Sequence, residues 1–480
     1  MSSGIPGLVG ASLGAEQKPM AMVTQSCAGR VCSGLKLPRG EWSKGFCAGL
    51  ASGLFVQIIG YLSFLEVFLL VTFPLKFAQF LRTATLPGVR TFSGLWLLWV
   101  VGQIIADVVN QNDFGFAARG FAKSFFAGFV TLALLPSMLR RPRLFEAFLA
   151  GLPVAHLIGL KYFRSGNYLR ADLKGWMSIE DMGWEYWIGP LAVLVLAYLV
   201  ARFWRSCPVV CIVATFCFGG LEVAMGSRST GLYHIVAASL MPLVVDVTRE
   251  TEQSRAKRMR WQKGVPWGRF VLACGLMLAA SVAVKDSYEH FASTGALGYK
   301  AYNKYHQQAS EKYGNIVMGG RQGPFIGIAA AFDKPIIGHG SWARMDKDYT
   351  AAASDLFGVE FYREKNWNSH RIFIPSHSMI IAAWVEGGIL GLIFWVYAMA
   401  YVARTLPRAI LVFPEYSGVL LINSMGFFWS VLFSPIQTRN YTAMIMVPLL
   451  AASVLVRAQQ RSHAKVSANG TALMPRAAVA

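Results

Sequence analysis

Over most of this chain, apolar residues run in stretches separated by short segments that carry arginine and lysine. About 20 apolar residues suffice to cross the hydrocarbon core of a bilayer as a helix. Stretches near this length fall at approximately 91–108, 120–138, 143–161, 184–203, 208–225, 229–247, 269–285, 377–403, 414–433 and 438–456. Residues 46–82 are apolar for longer than one span requires. As one helix they would extend about 55 Å, against a core of roughly 30 Å. A hairpin turning near Gly60 and Tyr61 removes the excess; a single long tilted helix is the other reading. With the hairpin, the expected fold is all-α and polytopic, with about twelve transmembrane helices and one large loop between late spans.

The basic segments set the sidedness. Leu139-Arg-Arg-Pro-Arg143, Ala201-Arg-Phe-Trp-Arg205, the run from Arg249 to Arg269, and Arg404 to Arg408 all fall on one side under strict alternation. The positive-inside bias makes that side the cytoplasm. Five regions follow. Residues 1–45 form a flexible cytoplasmic tail, rich in Gly and Ser and lacking the pattern of a secretory signal. Residues 46–285 form a transmembrane bundle, and 286–376 a large loop on the opposite, periplasmic side. Residues 377–459 return to the membrane, and 460–480 form a second cytoplasmic tail. Apolar patches within the loop, such as Pro324 to Ala331, predict short helices folded over the membrane.

Composition agrees with the pattern. Of 480 residues, 55% are hydrophobic and 15% charged, with mean hydropathy +0.44. A soluble domain carries about a quarter charged residues. The net charge of +20 is accounted for by the inside-facing segments and by contact with anionic lipids, with no call for nucleic acid as a partner. The seven cysteines avoid the long polar loop and show no zinc-ligand spacing, which argues against a disulfide scaffold and against a Cys/His metal site.

Four residues stand out as candidate chemistry. His377 ends the segment Ile374-Pro-Ser-His377, where the loop ends and an apolar helix begins. Ser376 reads as the N-cap and His377 as a first-turn residue beside free N–H groups, a ready anion site. A neutral imidazole there can act as a base or contact a phosphate; the plainer reading is a solvated histidine at a capped helix start. Arg228, in Met225-Gly-Ser-Arg228, lies at the outer membrane edge, where a guanidinium either grips a phosphate or snorkels to headgroups. Arg321, in Gly319-Gly-Arg-Gln-Gly-Pro324, has glycines on both sides that allow close approach to an anion. Ser378 follows the histidine.

Other elements read more weakly. His339, in Pro335-Ile-Ile-Gly-His-Gly340, reads as a turn histidine. Asp346 and Asp348 have the spacing of a metal-binding pair but lack a third hard ligand nearby. Glu66, Asp107, Glu222 and Glu386 look scattered, and Gly387 and Gly391 read as a small-residue packing surface.

Together these elements resemble the O-antigen ligase and polysaccharide polymerase superfamily of bacterial envelopes. The resemblance rests on Gly226-Ser-Arg228, Gly320-Arg321, Pro335-Ile-Ile-Gly-His-Gly340, and His377-Ser378 running into Glu386-Gly-Gly-Ile-Leu-Gly391. It covers residues 220–240 and 315–400. Asparagine is commoner than Ser378 after the histidine, and 163–190 offer no match to a Phe-x-x-Pro-Asn-like element of many relatives. The resemblance implies a glycosyltransferase in the bacterial inner membrane, working in lipopolysaccharide or exopolysaccharide biosynthesis with its active site facing the periplasm. Its donor would be a glycan on polyprenyl (undecaprenyl) pyrophosphate. Its acceptor would be a lipid A–core oligosaccharide or a second lipid-linked repeat unit. Arg228 and Arg321 would hold the pyrophosphate, His377 would act as base or clamp, and Ser378 would contact substrate. No cofactor and no metal are expected. A multi-span transporter or exporter of a glycan or other anionic solute is the alternative.

Overall fold

In hydrocarbon every backbone N–H and C=O has to be satisfied within its own segment, so long apolar stretches become helices. The structure, a computed structural model, describes residues 39–57, 61–162, 188–225, 227–248, 286–287, 289–296, 298–308, 322–345, 347–359, 373–375, 377–434 and 439–472. Helix α1 (Arg39–Gly53) leads into a two-stranded antiparallel ribbon, β1 (Phe55–Gln57) and β2 (Tyr61–Ser63). Then follow α2 (Phe64–Ala84), α3 (Arg90–Val109), α4 (Phe114–Arg140), α5 (Leu144–Tyr162), α6 (Gly189–Phe203), α7 (Pro208–Ala224) and α8 (Arg228–Thr248). The loop region contributes α9 (Tyr299–Gln308), α10 (Gln322–Asp333) and α11 (Tyr349–Phe357). The chain closes with α12 (Met379–Val412), α13 (Ser417–Phe433) and α14 (Arg439–Ala472).

Among the described residues, 7 helices are long and apolar enough to cross a membrane, and α5, α6 and α7 hold shorter apolar stretches. Large apolar side chains such as Phe68, Val71, Leu75, Val108 and Val209 are exposed, as lipid-facing side chains of spanning helices are. The protein is an all-α, multi-pass membrane protein. The expected span at 269–285 lies outside the described residues.

Several expected boundaries move. The chain reverses between Gln57 and Tyr61, which pair in the β1–β2 ribbon as Phe55 does with Ser63; of the helices on either side, α2 is long and apolar enough to span and α1 is not among such helices. Ser63 and Glu66 then start α2 with a reciprocal capping box. Helix α1 begins at Arg39, within the tail expected to reach residue 45. Its Gly45, Gly49 and Gly53 sit on one face against α5. A Cβ at Gly49 would stand 2.0 Å from the Phe148 carbonyl oxygen, and one at Gly151 of α5 2.3 Å from that of Phe46. The absent side chains let the two backbones touch.

Helix α12 does not stop before Arg404 but runs through Arg408 to Val412. Val402, Thr405, Leu406 and Ala409 continue a buried stripe at helical spacing, while Arg404 and Arg408 point outward. Helix α14 likewise continues to Ala472, through much of the expected tail. Where α3 packs on α12, Trp99 stacks on Phe394 with ring centroids 5.0 Å apart and meets Trp395 edge-on.

Candidate functional site

The site is organised by a break in α12. Gly388 has φ 65° and ψ −155°, a backbone region essentially reserved for glycine. A break in an intramembrane helix strands backbone groups that must find partners. Here the segment 336–340 supplies them. The Ile389 N–H donates to the Ile336 carbonyl at 3.1 Å, the His339 N–H to Val385 at 2.6 Å, and the Gly340 N–H to Glu386 at 3.0 Å. Gly338, at φ 86°, lies so close that a Cβ there would stand 2.6 Å from the Gly388 nitrogen. The Pro335–Gly340 element is thus laid into the gap of the Glu386-Gly-Gly388 element. Of the two glycines expected as a packing face, Gly387 does pack on α3, where its Cβ would stand 3.4 Å from Trp99 and Gln103, and Gly391 does not. Gly391 faces the Ala383 carbonyl of its own helix, 2.2 Å from where its Cβ would lie.

A buried polar frame holds this loop. Asp107 of α3 is 7% exposed. Its carboxylate accepts from the Ser341 N–H at 2.6 Å, the Ser341 hydroxyl at 2.7 Å and the Asn112 amide at 2.8 Å. Gln103 donates to the Ser341 hydroxyl at 2.8 Å. Asn110 donates to the Gly338 carbonyl at 3.1 Å and accepts from Lys334 at 2.8 Å. Trp384 donates to the Pro335 carbonyl at 3.0 Å. Across the same break, Lys123 of α4 pairs with Glu386, both side chains largely buried. Asp107 and Glu386 are therefore not scattered: the Asp107 carboxylate holds the docked loop, and Glu386 receives it through its backbone carbonyl while its side chain pairs with Lys123. An ionisable residue inside an apolar stretch was the signal in the sequence. That they share one loop is a tertiary fact.

The pair gives a direct prediction. Lys123→Met leaves Glu386 buried without its cation and should cost about 3 kcal/mol. Lys123→Met combined with Glu386→Met should recover most of the loss, as read by thermal unfolding in detergent. Full additivity of the two single changes would rule out coupling.

The predicted site residues are placed as follows. His377 is exposed and lies against α10: a Cβ at Gly323 would stand 3.0 Å from its Cδ2 and 3.1 Å from its Cγ. Gly323 therefore makes room for the imidazole. The N-cap of α12 is Ser378 and not Ser376, so His377 precedes the helix and is not in its first turn. The Ser378 hydroxyl accepts from the Ile381 N–H at 3.4 Å and donates to the Val431 carbonyl of α13 at 2.8 Å. Fully buried and hydrogen-bonded as both donor and acceptor, it ties the start of α12 to α13.

Arg228 is the first residue of α8, half-buried at the tip of the α7–α8 hairpin, where the Ser227 N–H donates to the Glu222 backbone carbonyl at 2.8 Å. Arg321 lies outside the described residues, and its chain neighbour Gln322 opens α10. His339 is no simple turn histidine. It is buried, with Nε2 2.8 Å from the Ala330 carbonyl, and its ring meets Tyr349 edge-on. Asp348 caps α11 by accepting from the Ala351 N–H at 3.1 Å, and Asp346 lies outside the described residues. Asp333 joins α10 to α11: a hydrogen bond from Lys347 holds its carboxyl below the usual carboxylate range, with the Tyr349 hydroxyl as second donor.

No protein-family model and no curated protein matches this chain. Among the described residues no group of three His, Cys, Asp or Glu is gathered to hold a metal. The chemistry available at this end of α12 is an exposed imidazole beside a glycine-opened helix start, above a helix break sealed by the docked loop.

Proposed function

We propose that this protein is a membrane glycosyltransferase. It moves a glycan from a polyprenyl-pyrophosphate donor to an acceptor hydroxyl, as an O-antigen or exopolysaccharide polymerase or an O-antigen ligase. The proposal includes about twelve spans in a bacterial inner membrane, with the large loop and the site on the periplasmic face. The observation that carries it is convergence on α12 of elements far apart in sequence. The Gln322-Gly323 start of α10 meets His377, and Pro335–Gly340 fills the break at Gly388. In the proposed reaction His377 accepts the proton of the acceptor hydroxyl or orients the diphosphate. Arg228 and Arg321 stabilise the charge that develops on the pyrophosphate as the glycosidic bond breaks.

One observation favours a transporter: a broken helix flanked by buried charge, the usual setting of an ion or substrate site. In that setting, however, the backbone groups freed by the break face the cargo. Here the Val385 and Glu386 carbonyls and the Ile389 N–H are taken up by the loop. The break is closed by protein, and we favour transfer.

The test is the surface-glycan profile of a strain lacking the protein. Single repeats left on the surface lipid indicate a polymerase; long glycan accumulating on the polyprenyl carrier indicates a ligase. An unchanged profile, with purified protein that moves a solute across vesicles, would reject transfer. Two arginines can replace a divalent cation at a diphosphate. Activity is therefore expected to survive exhaustive chelation. Loss restored by magnesium or manganese would remove that mechanism.

A further inference from the structure

A cavity of about 330 Å³ opens between the α3–α4 turn and the strand-like segment that follows the docked loop. Such a volume falls at the lower end of small-ligand sites. Among the described residues, two non-glycine residues have left-handed backbone, Gln111 at φ 51° and Trp342 at φ 54°. Both line this cavity. Left-handed backbone costs a residue with a Cβ about 1–2 kcal/mol and persists where surrounding structure imposes it, often at ligand sites.

The two positions are held by different means. Gln111 occupies the place after the end of α3 where a helix normally puts glycine: its backbone N–H donates to the Val108 carbonyl at 3.2 Å and the backbone N–H of Asn112 to the Asp107 carbonyl at 3.0 Å. Trp342 follows Gly340 and the Ser341 backbone that Asp107 fixes. Its indole remains 37% exposed and touches Phe373 edge-on.

The lining has a definite chemistry. Trp342 gives a flat apolar face. The Gln111 amide can donate and accept, and Asn112, whose Nδ2 already donates to Asp107 and to the Ser341 carbonyl, can accept a hydroxyl through Oδ1. Lys334 is bound through its ammonium to a neutral amide, Asn110. Arg344 stands 3.6 Å from Asp113, with both side chains more than half exposed, so this pair is weak and Arg344 can turn to a stronger anion. Two cations face one carboxylate.

We propose that this cavity binds a sugar unit carrying an acidic group. The pyranose C–H face packs on Trp342, the hydroxyls meet the Gln111 and Asn112 amides, and the acidic group sits between Lys334 and Arg344. The site goes beyond the transfer reading and does not depend on it, because binding is measured without turnover.

The test is ligand-observed saturation-transfer NMR on the full chain in detergent, with sodium galacturonate, its neutral methyl ester and inorganic phosphate as probes. Galacturonate is expected to bind saturably in the millimolar range, with the ester about tenfold weaker or more. Lys334→Gln is expected to weaken galacturonate by a similar factor. Trp342→Gly should abolish the signal while the thermal midpoint holds or rises, since glycine relieves the left-handed backbone. Absent saturation, equal affinity for the ester, or unchanged binding by Trp342→Gly would overturn the proposal. So would phosphate displacing galacturonate at equal concentration, which would mark a bare anion site.

Discussion

Replacing Gly388 with alanine should destabilise the protein more than any other single added methyl group in the loop–helix junction. The φ 65°, ψ −155° backbone is closed to residues with a Cβ, which costs about 1–3 kcal/mol by itself. The new methyl would also stand 2.0 Å from the Ile336 carbonyl oxygen and 2.6 Å from the Ile337 carbonyl carbon. Neither is the end of a flexible side chain, so relief requires the loop to leave the break. That in turn strands the Val385 and Glu386 carbonyls and the Ile389 N–H at membrane depth, each a further loss. The total should exceed about 4 kcal/mol, in the range reached only by a named structural fault. The measurement is thermal unfolding of purified protein, together with limited proteolysis of residues 334–345, which the change should expose. Gly94→Ala, on α3 with nothing within 4 Å of its Cβ position, is the matched control and should be near neutral. A Gly388→Ala protein as stable as Gly94→Ala would mean that the loop does not occupy the break.

His377→Ala should lower transfer by about 10²–10⁴, the range for loss of a positioned acid–base group, with little change in stability. The imidazole is exposed and rests on Gly323, so its removal opens no core cavity. Ser378→Ala should do the reverse. It removes the N-cap of α12 and the buried bond to Val431, a loss of about 1–3 kcal/mol, while the folded fraction transfers at the normal rate. Adjacent residues thus separate along two measurements, rate per folded molecule and unfolding midpoint. Arg228→Ala and Arg321→Ala are expected to fall with His377→Ala. Near-normal transfer by any of the three removes that residue from the mechanism, and a rate defect in folded Ser378→Ala would place it on the substrate side.

What was legible in the sequence follows from what is local. Apolar length marks a span, and the spans at 91–108, 208–225 and 229–247 agree closely with α3, α7 and α8. Basic residues read as loop markers misled at Arg404 and Arg408, because a helix tolerates exposed cations while its opposite face stays buried. Ser376 misled because two serines flank His377 and either can cap. Ser378 won through a second bond, to Val431 on another helix. The roles of Asp107 and Glu386 depend on Ser341 and Lys123, 234 and 263 residues away, and no spacing rule reaches that far.

The sequence by itself determined that this chain lives in a membrane, where its helices run, and which polar elements are out of place among them. Hydrocarbon enforces helices wherever apolar length is sufficient, and that constraint acts on each segment separately. Only the tertiary structure decided that Gly388 breaks α12, that Pro335–Gly340 is the piece that closes it, and that His377 rests on Gly323. Those outcomes depend on which unsatisfied backbone groups find each other across the fold, and the partners are chosen by packing, not by local pattern.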